Sequence, residues 1–146
     1  MKAGVPRATL STEAIQRLLD GGLARAAELD IRIHIAVMDS AAELVGFISC
    51  EGAPRLARVT AERKAFTAVN TQMSTLRWAQ YVDSIPESER RIIDSIPGYV
   101  GADGGFPLRE AGLLLGGIGV SGADQARDAD VARAAMRAAA IQETEP

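Results

Sequence analysis

Nine glycines fall within the 25 residues from Gly98 to Gly122: Gly98, Gly101, Gly104, Gly105, Gly112, Gly116, Gly117, Gly119 and Gly122. Two strand-like runs lie among them, Phe106 to Arg109 and Leu113 to Val120, split by the turn Glu110-Ala111-Gly112. A strand without Cβ atoms has a flat face, on which a helix or a neighbouring subunit can lie closely. Any fold open to this chain has to supply that partner. The cluster Gly116 to Gly122 does not read as a phosphate loop. It has no G-x-x-x-x-G-K-[ST] and no strand–GxGxxG–helix unit followed by an acidic residue about 20 positions on.

The rest of the chain alternates between two periodicities. Ser11 is a good N-cap, and Ile15, Leu18, Leu19, Ala26 and Leu29 recur at helical spacing behind it. From Ile31 to Met38 the period is two, with Ile31, Ile33, Ile35 and Val37 on one side and Arg32, His34, Ala36 and Met38 on the other. Asp39 to Glu43 links this run to a second strand, Leu44 to Cys50. A helix from Pro54 to about Asn70 is expected to bury Leu56, Val59, Phe66 and Val69. A helical segment follows from Ser74 to Val82. Ile85 to Ile96, bounded by Pro86 and Pro97, reads as a short exposed helix or a lid-like insertion. The last helix covers Asp124 to Ile141, with Val131, Ala135 and Met136 inward. Hairpin-length links between strands make the fold α+β with a mainly antiparallel sheet.

At 146 residues the chain is expected to form one domain, residues 1–146, with residues 1–10 as a loose N-terminal arm. Hydrophobic residues make up 47% and charged residues 24%, which excludes wholesale disorder. A net charge of −3 gives no basic stripe for nucleic acid. The most apolar stretch, Leu113 to Val120, is far short of the roughly 20 residues that span a bilayer. No signal-peptide pattern is present, so a cytoplasmic location without membrane contact is expected. The single Cys50 forms no internal disulfide, and the single His34 excludes a multi-histidine metal site, so no metal is expected.

Few side chains are candidates for chemistry. His34 is the one imidazole for acid–base work and lies in mid-strand, where a half-exposed structural role is the alternative. Lys64, two residues from Phe66, should point away from that ring, either to solvent or as an anion-binding or Schiff-base lysine beside the glycine strands. Asp39 and Arg109 sit at strand ends, where sites gather, and a solvated turn charge explains each equally well. Tyr99, between Pro97 and the glycine loop, can stack on a planar ligand or simply pack.

Several segments together resemble the GlcG/HbpS-like family, which includes the C-terminal domain of PduO-type proteins. The strand Ile35-Ala36-Val37-Met38-Asp39 is similar to the family's "IAVVDxxGxL", and Ala61-Glu62-Arg63-Lys64-Ala65-Phe66-Thr67-Ala68 to its "A..KA.TA". Gly104-Gly105-Phe106-Pro107-Leu108-Arg109, then Leu115 to Gly122 and Asp130, resemble "GGxPLR…vGaiGVSG…D". The resemblance implies a profilin-like three-layer α/β/α fold of about five strands and a homo-oligomer of two to eight subunits. It also implies haem or a corrinoid-related ligand in some members. The histidine that the family associates with haem stands on the first helix, and Ser11 to Leu29 holds none. The hairpin glycine of the family is Ala42 or Glu43 here.

Three functions remain open, one of them a scaffold or accessory subunit in which the glycine strands only build an interface. Another is an oligomeric small-molecule-binding protein, with His34, Lys64, Gly104, Gly105 and Arg109 at the ligand and haem as a candidate cofactor. The third is an isomerase, tautomerase, lyase or hydrolase acting on a small carboxylated catabolite. There Lys64 and Arg109 would hold the carboxylate while Asp39, His34 or Tyr99 moves a proton. In the last two cases the ligand is expected to be a small anion.

Overall fold

The structure is a computed structural model that describes residues 1–144. Its elements run α1 (Thr12–Glu28), β1 (His34–Asp39), β2 (Leu44–Ser49), α2 (Leu56–Thr71), α3 (Thr75–Ser84), α4 (Glu87–Asp94), β3 (Gly105–Glu110), β4 (Leu113–Ser121) and α5 (Gln125–Ala138). Ser11 caps α1 by accepting the Ala14 N–H at 3.1 Å. Leu10 just before it is buried in the core, and the Ala8 carbonyl accepts the Ser40 hydroxyl at 2.7 Å, so the N-terminal arm is fastened at its inner end. The residue before Pro86, Ile85, is extended, and α3 stops there.

One sheet forms in the order β2-β1-β4-β3, with every neighbouring pair antiparallel. This is the α+β architecture expected from the sequence, with four strands in place of about five. The hairpin turn between β1 and β2 is held by Asp39, whose Oδ1 accepts the N–H groups of Ala41 (2.9 Å) and Glu43 (3.0 Å). Ala42 is left-handed there (φ 61°), in the place where the resemblance implies a glycine.

Period-two alternation sorts the strands onto two cores. Ile35, Val37, Ile118 and Val120 face α1 and α5, joining Leu18, Ala26, Val131 and Ala135. Ala36 and Met38 face the other way, against Ala61, Ala65 and Val69 of α2. Helices therefore cover both faces, and His34, instead of being half-exposed, is buried like Ile35, Ala36, Val37 and Met38 after it.

The glycines of β4 explain how α2 sits. A Cβ on Gly119 would collide with the carbonyl oxygen of Ala61, and one on Gly117 would lie 2.8 Å from that of Ala65. No large side chain fits between this helix and the strand. The buried face of α2 is accordingly Ala61, Lys64, Ala65 and Ala68, with Val69 at its end. Leu56 and Val59, expected inside, are 85% and 58% exposed, and Phe66 is half-buried on the flank. The segment between Pro86 and Pro97 contains α4, none of whose residues is buried. Among the described residues no helix is long and apolar enough to cross a membrane.

Candidate functional site

Of the residues singled out in the sequence, the fold brings Lys64, Gly104 and Gly105 together. Lys64 does point away from Phe66, but its side of α2 is the buried one. Its Nζ donates to the Val120 carbonyl at 2.8 Å and to Asp128 Oδ2 at 3.1 Å. Asp128 Oδ1 in turn accepts the Ala123 N–H at 2.9 Å. Gly104, left-handed at φ 117°, passes so close that a Cβ would stand 3.0 Å from Nζ and 2.7 Å from the Val120 oxygen. Gly105 is tied to α3 through its N–H, which donates to Thr75 Oγ1 at 2.9 Å. Burial pushes the Lys64 ammonium below the usual lysine range, against the pull of the Asp128 charge. It likewise pushes the Asp128 carboxyl up, against Lys64 and the Ala123 N–H. At 1% exposure Lys64 pins α2 to β4 and α5; it is not a solvated lysine, and a substrate carboxylate or carbonyl does not reach it.

The remaining candidates lie apart from this cluster. Asp39 closes the β1–β2 turn as described. Arg109, on β3, donates to the Gln72 carbonyl at 2.9 Å, where α2 ends in a left-handed residue, so its charge serves the helix C-terminus. His34 stands at the start of β1. Its Nδ1 is 2.7 Å from Ser49 Oγ and its Nε2 is 2.8 Å from the Pro54 carbonyl, and its ring stacks on Phe47.

Tyr99 belongs to a row of rings. Phe66 and Tyr99 have centroids 5.6 Å apart, Tyr99 and Trp78 5.4 Å, and Trp78 and Tyr81 5.6 Å. The row borders a cleft of about 460 Å³ between α3, α4 and the 96–101 segment, lined by Trp78, Val82, Asp83, Ile93, Asp94 and Tyr99 among others. Arg63 lies over the Phe66 ring at 5.6 Å. The Tyr99 hydroxyl makes no hydrogen bond among the described residues.

Sequence reasoning did not identify Asp128, Ser49 or Trp78. The resemblance pointed to Asp130, which instead pairs on the surface with Arg25 at 2.9 Å. Asp128 sits one turn after the cap Asp124, and only its burial beside Lys64 distinguishes it. Trp78 is the one tryptophan of a chain with 4% aromatic residues, and that scarcity was the available signal.

A family model described as "Haem degrading protein HbpS-like" matches residues 10–137. The corrinoid adenosyltransferase PduO of Citrobacter freundii is 30% identical over 135 residues, 91% of this chain and 40% of the relative. The chain thus spans well under half of that protein's length. Among solved structures, HbpS superposes with a TM-score of 0.82 at 27% identity, covering 92% of this chain and 93% of the other. A double mutant of Streptomyces reticuli HbpS gives 0.82 at 26%, with coverages of 94% and 92%. The PduOC:heme complex gives 0.85 at 23%, with coverages of 94% and 99%, a likeness of fold.

Proposed function

The chain belongs to the HbpS-like family, and from that premise we propose that it is a self-associating small-molecule-binding protein whose ligand is a flat tetrapyrrole such as haem. The observation that carries this reading is the aromatic row. The whole chain has one Trp, two Tyr and three Phe, and four of these rings stand in sequence, two of them, Trp78 and Tyr99, in the wall of a cleft bordered by α3 and α4. Offset and tilted rings present a broad apolar surface on which a planar molecule stacks. The solved heme complex of PduOC, similar in fold, supports the ligand class.

Among the described residues, those at this cleft fit haem through a tyrosine. Bound haem supplies an iron that takes a side-chain ligand. His34 does not meet that need, because both of its ring nitrogens are engaged inside the protein. Tyr99 offers an oxygen donor of the kind that holds ferric haem, and its hydroxyl is not engaged among the described residues. Trp78 gives the stacking face. Asp83 and Asp94 line the cleft and repel ligand carboxylates, while Arg63, beside Gly98 of the cleft wall, is placed to receive them.

A haemin titration followed by absorbance tests this, with wild type beside Tyr99→Phe and His34→Gln. Saturable binding that is weakened and spectrally shifted in Tyr99→Phe but kept in His34→Gln is expected. No saturable binding by the wild type, or loss only in His34→Gln, overturns the reading. Self-association rests on Leu56 and Val59, exposed three residues apart on α2, an apolar strip suited to a second copy. Light scattering should give a multiple of the monomer mass, falling toward monomer in Leu56→Asp/Val59→Asp, and a monomeric wild type refutes it. A cytoplasmic setting, where a lone thiol such as Cys50 stays reduced, completes the reading.

A further inference from the structure

We propose that Ser49 and His34 form a nucleophile–base pair at the open edge of the sheet, able to cleave small activated acyl esters. The pair lies at the opposite end of β1 from the turn at Asp39, shares no residue with the aromatic cleft and does not depend on haem binding.

The pair is set by strand register. His34 opens β1, Ser49 closes β2, and the two are directly opposite. The Cys50 N–H donates to the Ile33 carbonyl at 2.9 Å. In an antiparallel ladder the next pair along, His34 and Ser49, is then the non-hydrogen-bonded kind, in which side chains approach most closely. Their side chains meet at 2.7 Å.

The Pro54 carbonyl decides the tautomer. A carbonyl only accepts, so Nε2, 2.8 Å away, carries the proton. In the neutral ring Nδ1 is then an acceptor, and the group facing it is the Ser49 hydroxyl, which donates. This is the logic of nucleophile, base and orienting group, with a backbone carbonyl in the place of the usual carboxylate. Stacking on Phe47 at 6.0 Å fixes the ring plane. The base is 5% exposed while the nucleophile is exposed, so the imidazole is shielded and the hydroxyl open to a substrate.

Two more features complete the chemistry. Because β2 is an edge strand, the Ser49 N–H in a non-hydrogen-bonded pair points away from β1. There it is free to donate to the oxyanion that forms when Ser49 attacks a carbonyl. A hollow of about 250 Å³ begins at Pro54, the residue that orients His34, and runs along Ala57, Thr60 and Ser121. A neutral carbonyl stabilises an imidazolium less than a carboxylate does, which limits the substrates to esters with a good leaving alcohol.

The step balances without any further reagent. Ser49 Oγ bonds to the ester carbonyl carbon while His34 Nδ1 takes the hydroxyl proton, and the carbonyl electron pair moves to oxygen. Collapse breaks the carbon–oxygen bond to the leaving alcohol, which departs with the proton from Nδ1. Water then attacks the acyl-serine, giving a proton to Nδ1 that returns to Oγ as the acid leaves.

The test uses diisopropyl fluorophosphate, with the site of labelling read by mass spectrometry, and p-nitrophenyl acetate turnover. One diisopropylphosphoryl group on Ser49 is expected. Nitrophenol release should fall at least about 100-fold in Ser49→Ala, and labelling should slow by a similar factor in His34→Gln, the usual scale for loss of a general base. Ser49 is exposed at a strand end, so its alanine variant folds and decides the matter even if His34→Gln does not. Absence of label on Ser49, or turnover unchanged in Ser49→Ala, overturns the proposal. Haemin binding measured on Ser49→Ala keeps the two readings separate, since only the esterase should be lost.

Discussion

Removing the Lys64 ammonium should cost far more than removing the ion pair as a whole. Lys64→Met takes away the cation that pairs with Asp128, a carboxylate at 2% exposure, and one donor from the Val120 carbonyl. Stripping one partner from a buried pair typically costs about 3–5 kcal/mol, because the survivor is left charged in a poor solvent. Asp128→Asn alone leaves the ammonium in the same position. In the double variant no charge remains, and the introduced amide still offers an oxygen to the Ala123 N–H that Asp128 now receives. Replacing a whole buried pair is often near neutral, so the double variant should lie within about 2 kcal/mol of wild type. Urea unfolding of the four proteins at one fixed concentration gives the cycle, and a common m-value licenses the comparison. The coupling should be at least about 2 kcal/mol, with the second substitution rescuing the first. Additivity within about 0.5 kcal/mol would refute the claim that these two groups are held as one unit.

The Asp128→Asn variant should also regain stability as pH rises from 7 toward 10. Burial lowers the Lys64 pKa, and removing the Asp128 charge removes what opposes that shift. The folded chain then releases its proton before the unfolded chain does, so stability climbs through the window that ends near the ordinary lysine value of about 10.4. A deficit that is flat or grows over this range, followed by urea midpoint, would contradict the assignment. Gly119→Ala should destabilise by about 3 kcal/mol or prevent folding, because the added methyl meets the backbone of α2 at Ala61 and not a side chain that can turn aside; a urea melt near wild type would show that α2 has freedom to lift. Ser11→Ala should cost about 1 kcal/mol through the lost cap on α1, and a thermal melt matching wild type would mean that the Ala14 N–H finds another acceptor.

The sequence made the two hairpins legible because period-two runs and turn residues are local signals. It also showed α1 and α5, whose N-caps Ser11 and Asp124 both accept backbone N–H groups as their residue types suggest. It misled over α2. Reading a helix by its largest apolar residues selects Leu56 and Val59, yet a helix laid on glycine strands has to bury its smallest residues. Ala61, Ala65 and Ala68 carry little hydrophobic contrast, so the true face was faint and the exposed one conspicuous. Lys64 is buried for the same reason, and its partner Asp128 lies 64 positions away, beyond any spacing rule. The His34–Ser49 contact spans 15 positions and depends on hairpin register, which turns with the bulge between Val37 and Met38. The aromatic row is assembled from three separate segments, α2, α3 and the 96–101 loop, and only the fold aligns them.

The close seat of α2 on β4 also divides the molecule mechanically. Where the carbonyls of Ala61 and Ala65 meet glycine Cα atoms, there is no layer of side chains to deform, so helix and sheet respond to load as a single plate. Compliance is concentrated in α4, which buries none of its residues, and in the segment that leads from it to Gly104. The ligand proposed to enter beside Trp78 and Tyr99 would therefore press on α4 and be opposed by the closely packed α2 and β4. A ligand that binds there as proposed would be accommodated by displacement of α4 and not by a change in the distances between β1, β4 and α2.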